Sequence, residues 1–150
     1  MSGCAASVHV TAGVVNDSAY NAKWSSAWSQ IYRDAKPYIT TRSSPGVCDI
    51  GGTKQGCYDT DQHVVSDLQA MRSSLTGTKV PKQFRSANDI LQQAIRTTVA
   101  GLELRDEAIA QNDDQLFQRS QQILPAGHAL FARAYAAYPG YARPQPAPIL

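Results

Sequence analysis

Cysteine and histidine are the residue types that most directly carry chemistry, and this chain of 150 residues holds three of each. Cys48 and Cys57 bracket the Gly-rich segment Asp49-Ile50-Gly51-Gly52-Thr53-Lys54-Gln55-Gly56. Their spacing excludes a Cys-x-x-Cys redox motif, and the segment lacks the further soft ligands that a zinc site needs. The pair therefore reads as a disulfide. Closing a loop of about ten residues is worth roughly 2.7 kcal/mol in chain entropy, a sizeable part of the about 5–15 kcal/mol that holds a domain folded. A stable disulfide in turn implies an oxidising compartment outside the cytoplasm.

Other catalytic constellations are missing. No Gly-x-Ser-x-Gly elbow is present, and Gly51-Gly52-Thr53-Lys54 lacks the spacing with which a P-loop cradles phosphate. No acidic residue stands three before a histidine, which excludes the Glu-x-x-His pattern of di-iron bundles, and no Cys-x-x-Cys-His attaches haem. At 100° per residue, His63 points about 120° and His128 about 85° from the apolar centre of its helix. The first is read as solvated and the second as a boundary residue. Neither metal nor cofactor is expected, and the chain is read as non-enzymatic.

Two features break the ordinary pattern of polar and apolar residues. Tyr20, Trp24, Trp28 and Tyr32 recur every fourth residue, a ladder that drifts about 40° per step and brings its rings against two neighbouring helices. Core packing explains it. The sharper alternative is an aromatic-lined cavity for a small apolar molecule, walled by Trp24, Trp28 and Tyr38 and opposed by the small residues Thr98, Gly101, Ser120 and Gly127. Arg105 is the second feature, because it falls inside an apolar stripe between Thr98, Leu102 and Ile109. A guanidinium there has to find a partner or reach water. The nearest carboxylate candidate in the cysteine loop is Asp49, which casts Arg105 as a pin between loop and helices, with an anion site beneath the loop as the alternative.

The odd cysteine stands at the start. Met1-Ser2-Gly3-Cys4 resembles the end of a bacterial lipoprotein signal peptide, in which a small-residue pair immediately precedes the cysteine that becomes the lipidated first residue. The resemblance covers Ser2, Gly3 and Cys4. It implies a membrane partner through lipid at Cys4, with residues 1–15 as a tether. It also implies a native coding region extending upstream of Met1 by about twenty residues with a basic start and an apolar centre. One acyl chain binds membranes only marginally, so stable anchoring takes more than one.

Four segments carry the helical period that would position these residues, and no segment alternates as a strand does. The first runs from about Asp17 to Thr41, with Pro37 near its end. The second spans about Asp59 to Leu75, with Val64, Val65, Leu68, Met71 and Leu75 as its stripe and Asp59-Thr60-Asp61 read as its cap. Pro81 opens the third, which carries Phe84, Ala87, Leu91, Ala94, Ile95, Thr98, Leu102 and Ile109 down to about Gln111. Asn112-Asp113 breaks the period, and the fourth returns from Asp114 to about Tyr138 as a hairpin partner. Positions summing to about 225 then face each other, placing Thr98 opposite Gly127 and Arg105 opposite Ser120. Pro125 interrupts the fourth helix midway, and Pro139 to Leu150 reads as an extended Pro-rich tail.

The fold predicted is all-α: an up-down-up-down four-helix bundle over 16–138, with a disulfide-closed loop between its first and second helices. Helix three exceeds helix two by about 14 residues, or roughly 21 Å. The cysteine loop is expected to cover that bare end. At 43% apolar residues the chain can bury one core, and 14 basic residues against 12 acidic, without a basic run, leave no footprint for nucleic acid. The expected function is that of an extracytoplasmic helical protein, anchored through Cys4, that binds a protein or small-molecule partner through its surface or bundle end. A carrier of an apolar molecule is the alternative, and a metal- or haem-binding bundle using His128 is a weaker one.

Overall fold

The computed structural model describes residues 18–33 and 54–143, all of whose regular structure is helical. Four α-helices are present among them: α1 (residues 18–33), α2 (Lys54–Thr76), α3 (Arg85–Gln111) and α4 (Asp114–Ala137). Two single 3₁₀ turns, Lys82–Phe84 and Gly140–Ala142, precede α3 and follow α4.

Each helix forms because its apolar residues recur at three- and four-residue steps, so that one stripe faces the interior. On α1 that stripe is Tyr20, Trp24, Trp28 and Ile31; on α2 it is Cys57, Asp61, Val64, Leu68, Met71 and Leu75, all buried. The stripe of α3 includes Leu91, Ile95, Thr98, Leu102 and Arg105, and that of α4 has Ser120, Gly127, Phe131 and Ala134.

The α3–α4 hairpin follows directly from its turn chemistry. Asn112 takes the left-handed conformation, φ 53°, that ends α3 and that asparagine tolerates better than most residues. Asp113 then caps α4, its carboxylate accepting from the backbone N–H groups of Gln115 (2.8 Å) and Leu116 (3.1 Å). The facing register matches the sequence reading: a methyl on Gly127 would lie 2.2 Å from Thr98 Oγ1, and one on Gly101 would lie 2.8 Å from Leu124 Cδ2. The two backbones approach this closely because neither glycine carries a side chain. Pro125 does not end α4, which continues past it on an exposed face.

Two sequence expectations are corrected. Helix α2 starts at Lys54 rather than Asp59, so Asp61 lies within the helix and not at its cap. With α2 at 23 residues and α3 at 27, the difference is only four. The added first turns of α2 bring Asp61 against Arg105, on the part of α3 that was assigned to the cysteine loop. The first residues of the tail also fold back: Ala142 is buried, and Arg143 donates from Nε to Tyr138 O (2.8 Å) and from Nη2 to Ala136 O (3.0 Å). Residues 1–17, 34–53 and 144–150 lie outside the described residues, and with them the tether, Cys4, Pro37, Tyr38, Cys48, Asp49 and most of the tail.

Candidate functional site

Two groups of buried polar side chains stand out, one toward each end of the α2–α3 pair. At the end where α2 begins, Arg105 on α3 reaches Asp61 on α2 through a two-pronged contact, Nε to Oδ2 at 2.7 Å and Nη2 to Oδ1 at 2.5 Å. Both residues are essentially out of solvent, at 3% and 2% exposure. The fork matches the planar carboxylate, which is the geometry that makes an arginine pair strong. Cys57, one turn before Asp61 on the same stripe, places its Sγ 3.6 Å from Asp61 Oδ2.

Asp106 joins this pair. Burial pushes both aspartate carboxyls up, Asp61 against the opposing pull of the Arg105 guanidinium. Asp106 is raised by burial first and by the neighbouring Asp61 charge second, to about 7. Two carboxyls this close cannot both ionise cheaply. Below about pH 7 the proton is therefore held by Asp106, beside Asp61, whose carboxylate faces Arg105. Asp106 Oδ1 remains buried without a partner. The cluster can hold or release one proton near neutral pH.

The opposite end is aromatic. Tyr20 OH donates to Asn88 Oδ1 (2.9 Å) and lies 2.6 Å from Tyr138 OH. Because the single Tyr20 proton goes to Asn88, Tyr138 is the donor in the second bond. Burial raises both phenols above their usual range, so neither ionises at physiological pH. The rings of Trp24 and Tyr138 stack with centroids 4.9 Å apart, and Trp28 packs on Trp24 at 5.5 Å and on Phe131 at 5.6 Å. Trp24 Nε1 donates to Ala142 O at 3.1 Å, which is what draws the tail back.

The residues singled out from sequence are thus dispersed. Trp24 and Trp28 belong to the aromatic end and are each 1% exposed; what they line is each other and the neighbouring rings. Thr98 sits mid-bundle against Gly127. Ser120 is fully buried and donates locally to Phe117 O at 2.6 Å. Arg105 belongs to the charged end, where Asp61 is its carboxylate partner among the described residues; Asp49 lies outside them. Cys57 is buried beside Asp61, whereas Cys4, Cys48 and Tyr38 lie outside the described residues. His63 and His128 are both exposed.

Asp61 and Asp106 were missed, although a signal existed. Counting the α2 stripe backward from Leu75 by alternate steps of four and three reaches Met71, Leu68, Val64, Asp61 and Cys57. An acid on one stripe and a base on the other call for each other. Among the described residues no group of three or more metal-ligating side chains is placed to hold an ion, and no helix is long and apolar enough to cross a membrane. Comparisons with protein-family models, curated proteins and solved structures find no match to this chain.

Proposed function

We propose that this protein is a non-enzymatic binding module held outside the cytoplasm: a helical bundle, anchored by lipid at Cys4, that meets its partner through its surface or bundle end. The observation that carries this reading is where the buried polar groups go. Arg105 with Asp61, Tyr20 with Tyr138 and Asn88, Trp24 with Ala142, and Ser120 with Phe117 are each directed at another part of the same chain. Such an interior is a scaffold, and interaction falls to the exterior.

An alternating up-down course of the four helices is part of the proposal. It is supported by Lys23 Nζ donating to Thr78 Oγ1 (2.8 Å) near the end of α2, by Asp61 against Arg105, and by Thr98 against Gly127. A Cys48–Cys57 disulfide closing the connection between α1 and α2 is also proposed, supported by the complete burial of Cys57 and the sequence spacing of the pair.

The anchoring is tested by expressing the gene with its own upstream coding region in a bacterial host fed radiolabelled palmitate. Label and membrane association should appear with the natural sequence and vanish in Cys4→Ser. Equal partition of both proteins into the soluble fraction would remove the anchor. Mass spectrometry of unreduced peptides tests the cross-link in the same material, and recovery of Cys48 and Cys57 as separate alkylated thiols would refute it.

A further inference from the structure

The fold sorts by sign the charges that the sequence intersperses. Around Phe84, whose ring packs against Tyr20, Tyr138 and Tyr141, the chain sets Lys79, Lys82 and Arg85, all exposed. None of the three forms an ion pair among the described residues. Lys23 joins them, exposed and bonded through Nζ to the neutral Thr78 Oγ1 (2.8 Å). Arg143 is exposed beside Tyr138. The acid of this end among the described residues is Asp89, close enough to help raise the Tyr20 and Tyr138 phenols.

The other end is acidic. The Asp61–Arg105 contact joins the start of α2 to the last turns of α3, where Asp59, Glu103, Glu107 and Asp114 are exposed and Asp113 is half-buried. Exposed bases are fewer there: Arg119 on α4 and Arg33 at the far end of α1, while Lys54 opens α2. Such a separation gives the molecule a directed field, felt within about 8–10 Å of its surface at physiological salt. An anionic surface is therefore met by the aromatic end.

Two further observations say which surface. Tyr141 is the large hydrophobic side chain left exposed among the described residues, at 71%, and it stands among the cations; an amphipathic ring beside Lys and Arg suits the headgroup region of a membrane. Helix α1 also begins here, since Tyr20 meets Asn88 and Tyr138, so residues 5–17 lead from Cys4 to this end of the bundle. We propose that the aromatic end docks on a bilayer rich in anionic lipid, its cations over the headgroup phosphates and Tyr141 level with them. The proposal rests in part on the reading of Cys4 as an anchor and names the face turned to the membrane, but the charges and the ring act without the acyl group.

The test uses the full chain carrying Cys4→Ser, with vesicles of phosphatidylcholine alone or mixed in equal parts with phosphatidylglycerol. Sedimentation should show binding to the mixed vesicles, its loss in high salt, and none to the neutral vesicles. Each cation near an anionic leaflet is worth about fivefold in affinity, so Lys79→Gln, Lys82→Gln and Arg85→Gln together should weaken binding roughly a hundredfold. Arg119→Gln, at the other end, should change it by less than about twofold. Spin-labelled phosphatidylglycerol should broaden the amide signals of residues 79–85 and 140–143 in the ¹⁵N-labelled chain and spare those of 107–114. No binding to mixed vesicles, equal binding to both kinds, indifference to the triple substitution, or equal broadening at both ends overturns the proposal. Tighter binding to a DNA duplex than to the mixed vesicles also overturns it and assigns the surface to nucleic acid. The broadening pattern decides even if the triple variant does not fold. Because this chain carries no acyl group, the outcome is independent of whether Cys4 takes up palmitate, and each reading can fail while the other stands.

Discussion

Arg105 is a full positive charge at 3% exposure, and its value depends wholly on the carboxylate it meets. Removing one partner of a buried pair strands the other, which costs about 3–5 kcal/mol, whereas replacing both with apolar groups of similar volume is often neutral. Arg105→Met should therefore lower the urea midpoint sharply, and adding Asp61→Leu should recover most of the loss. A double variant as unstable as the single would show that the pair is not an isolated electrostatic unit.

Asp106 titrates in the opposite sense to most aspartates. The folded chain keeps its proton up to about pH 7, while an unfolded aspartate loses it near about 4. Between those values the folded state binds more protons than the unfolded one, so this contribution is complete below about pH 4 and declines as pH rises to about 7. Asp106→Asn, which mimics the protonated carboxyl, should gain stability relative to the natural chain as pH rises from about 5 to 8. Parallel urea midpoints for the two proteins across that range would contradict the shared proton.

Helices α3 and α4 depend on two side chains being absent. At Gly127 an added methyl meets not only Thr98 Oγ1 but also its Cα, at 3.2 Å, so rotating the threonine cannot make room. The helices have to separate. Gly127→Ala should cost about 1–3 kcal/mol, the usual penalty for overpacking, and Thr98→Ala in the same chain should return part of it. Denaturant midpoints of the two variants decide this. Helix α2 illustrates the opposite dependence, since it gains its first turns by having a buried target for Asp61. The acids at 59–61 look like a cap in sequence, and asparagine or aspartate before an apolar run often is one. In the folded chain the Arg105 guanidinium makes an interior aspartate affordable, so the helix runs through.

For the molecule as a whole, the beginning of the tail acts as a closing piece. Trp24 is 1% exposed and its indole N–H finds its acceptor only in Ala142 O. Ending the chain at Tyr138 would leave that donor unmet and uncover the ring, at a cost of about 1–3 kcal/mol. Tryptophan emission should shift to the red and the melting temperature should fall. An unchanged spectrum would mean that Trp24 is closed off in some other way.

The helical class, the α3–α4 hairpin with its facing register, and the capping break at Asn112-Asp113 were legible in the residues alone, because spacing and turn chemistry act locally. Three rings of the α1 ladder, Tyr20, Trp24 and Trp28, were equally plain, whereas Tyr32 is only half-buried and the stripe continues at Ile31. Which acid meets Arg105, where α2 begins, and that the tail returns to Trp24 depend on groups far apart in sequence: residue 61 with 105, and 24 with 142. A buried charge or indole announces from sequence that it needs a partner. Only the packing of the helices selects which one, because burial makes an unmet polar group costly and the nearest group in space, not along the chain, relieves it.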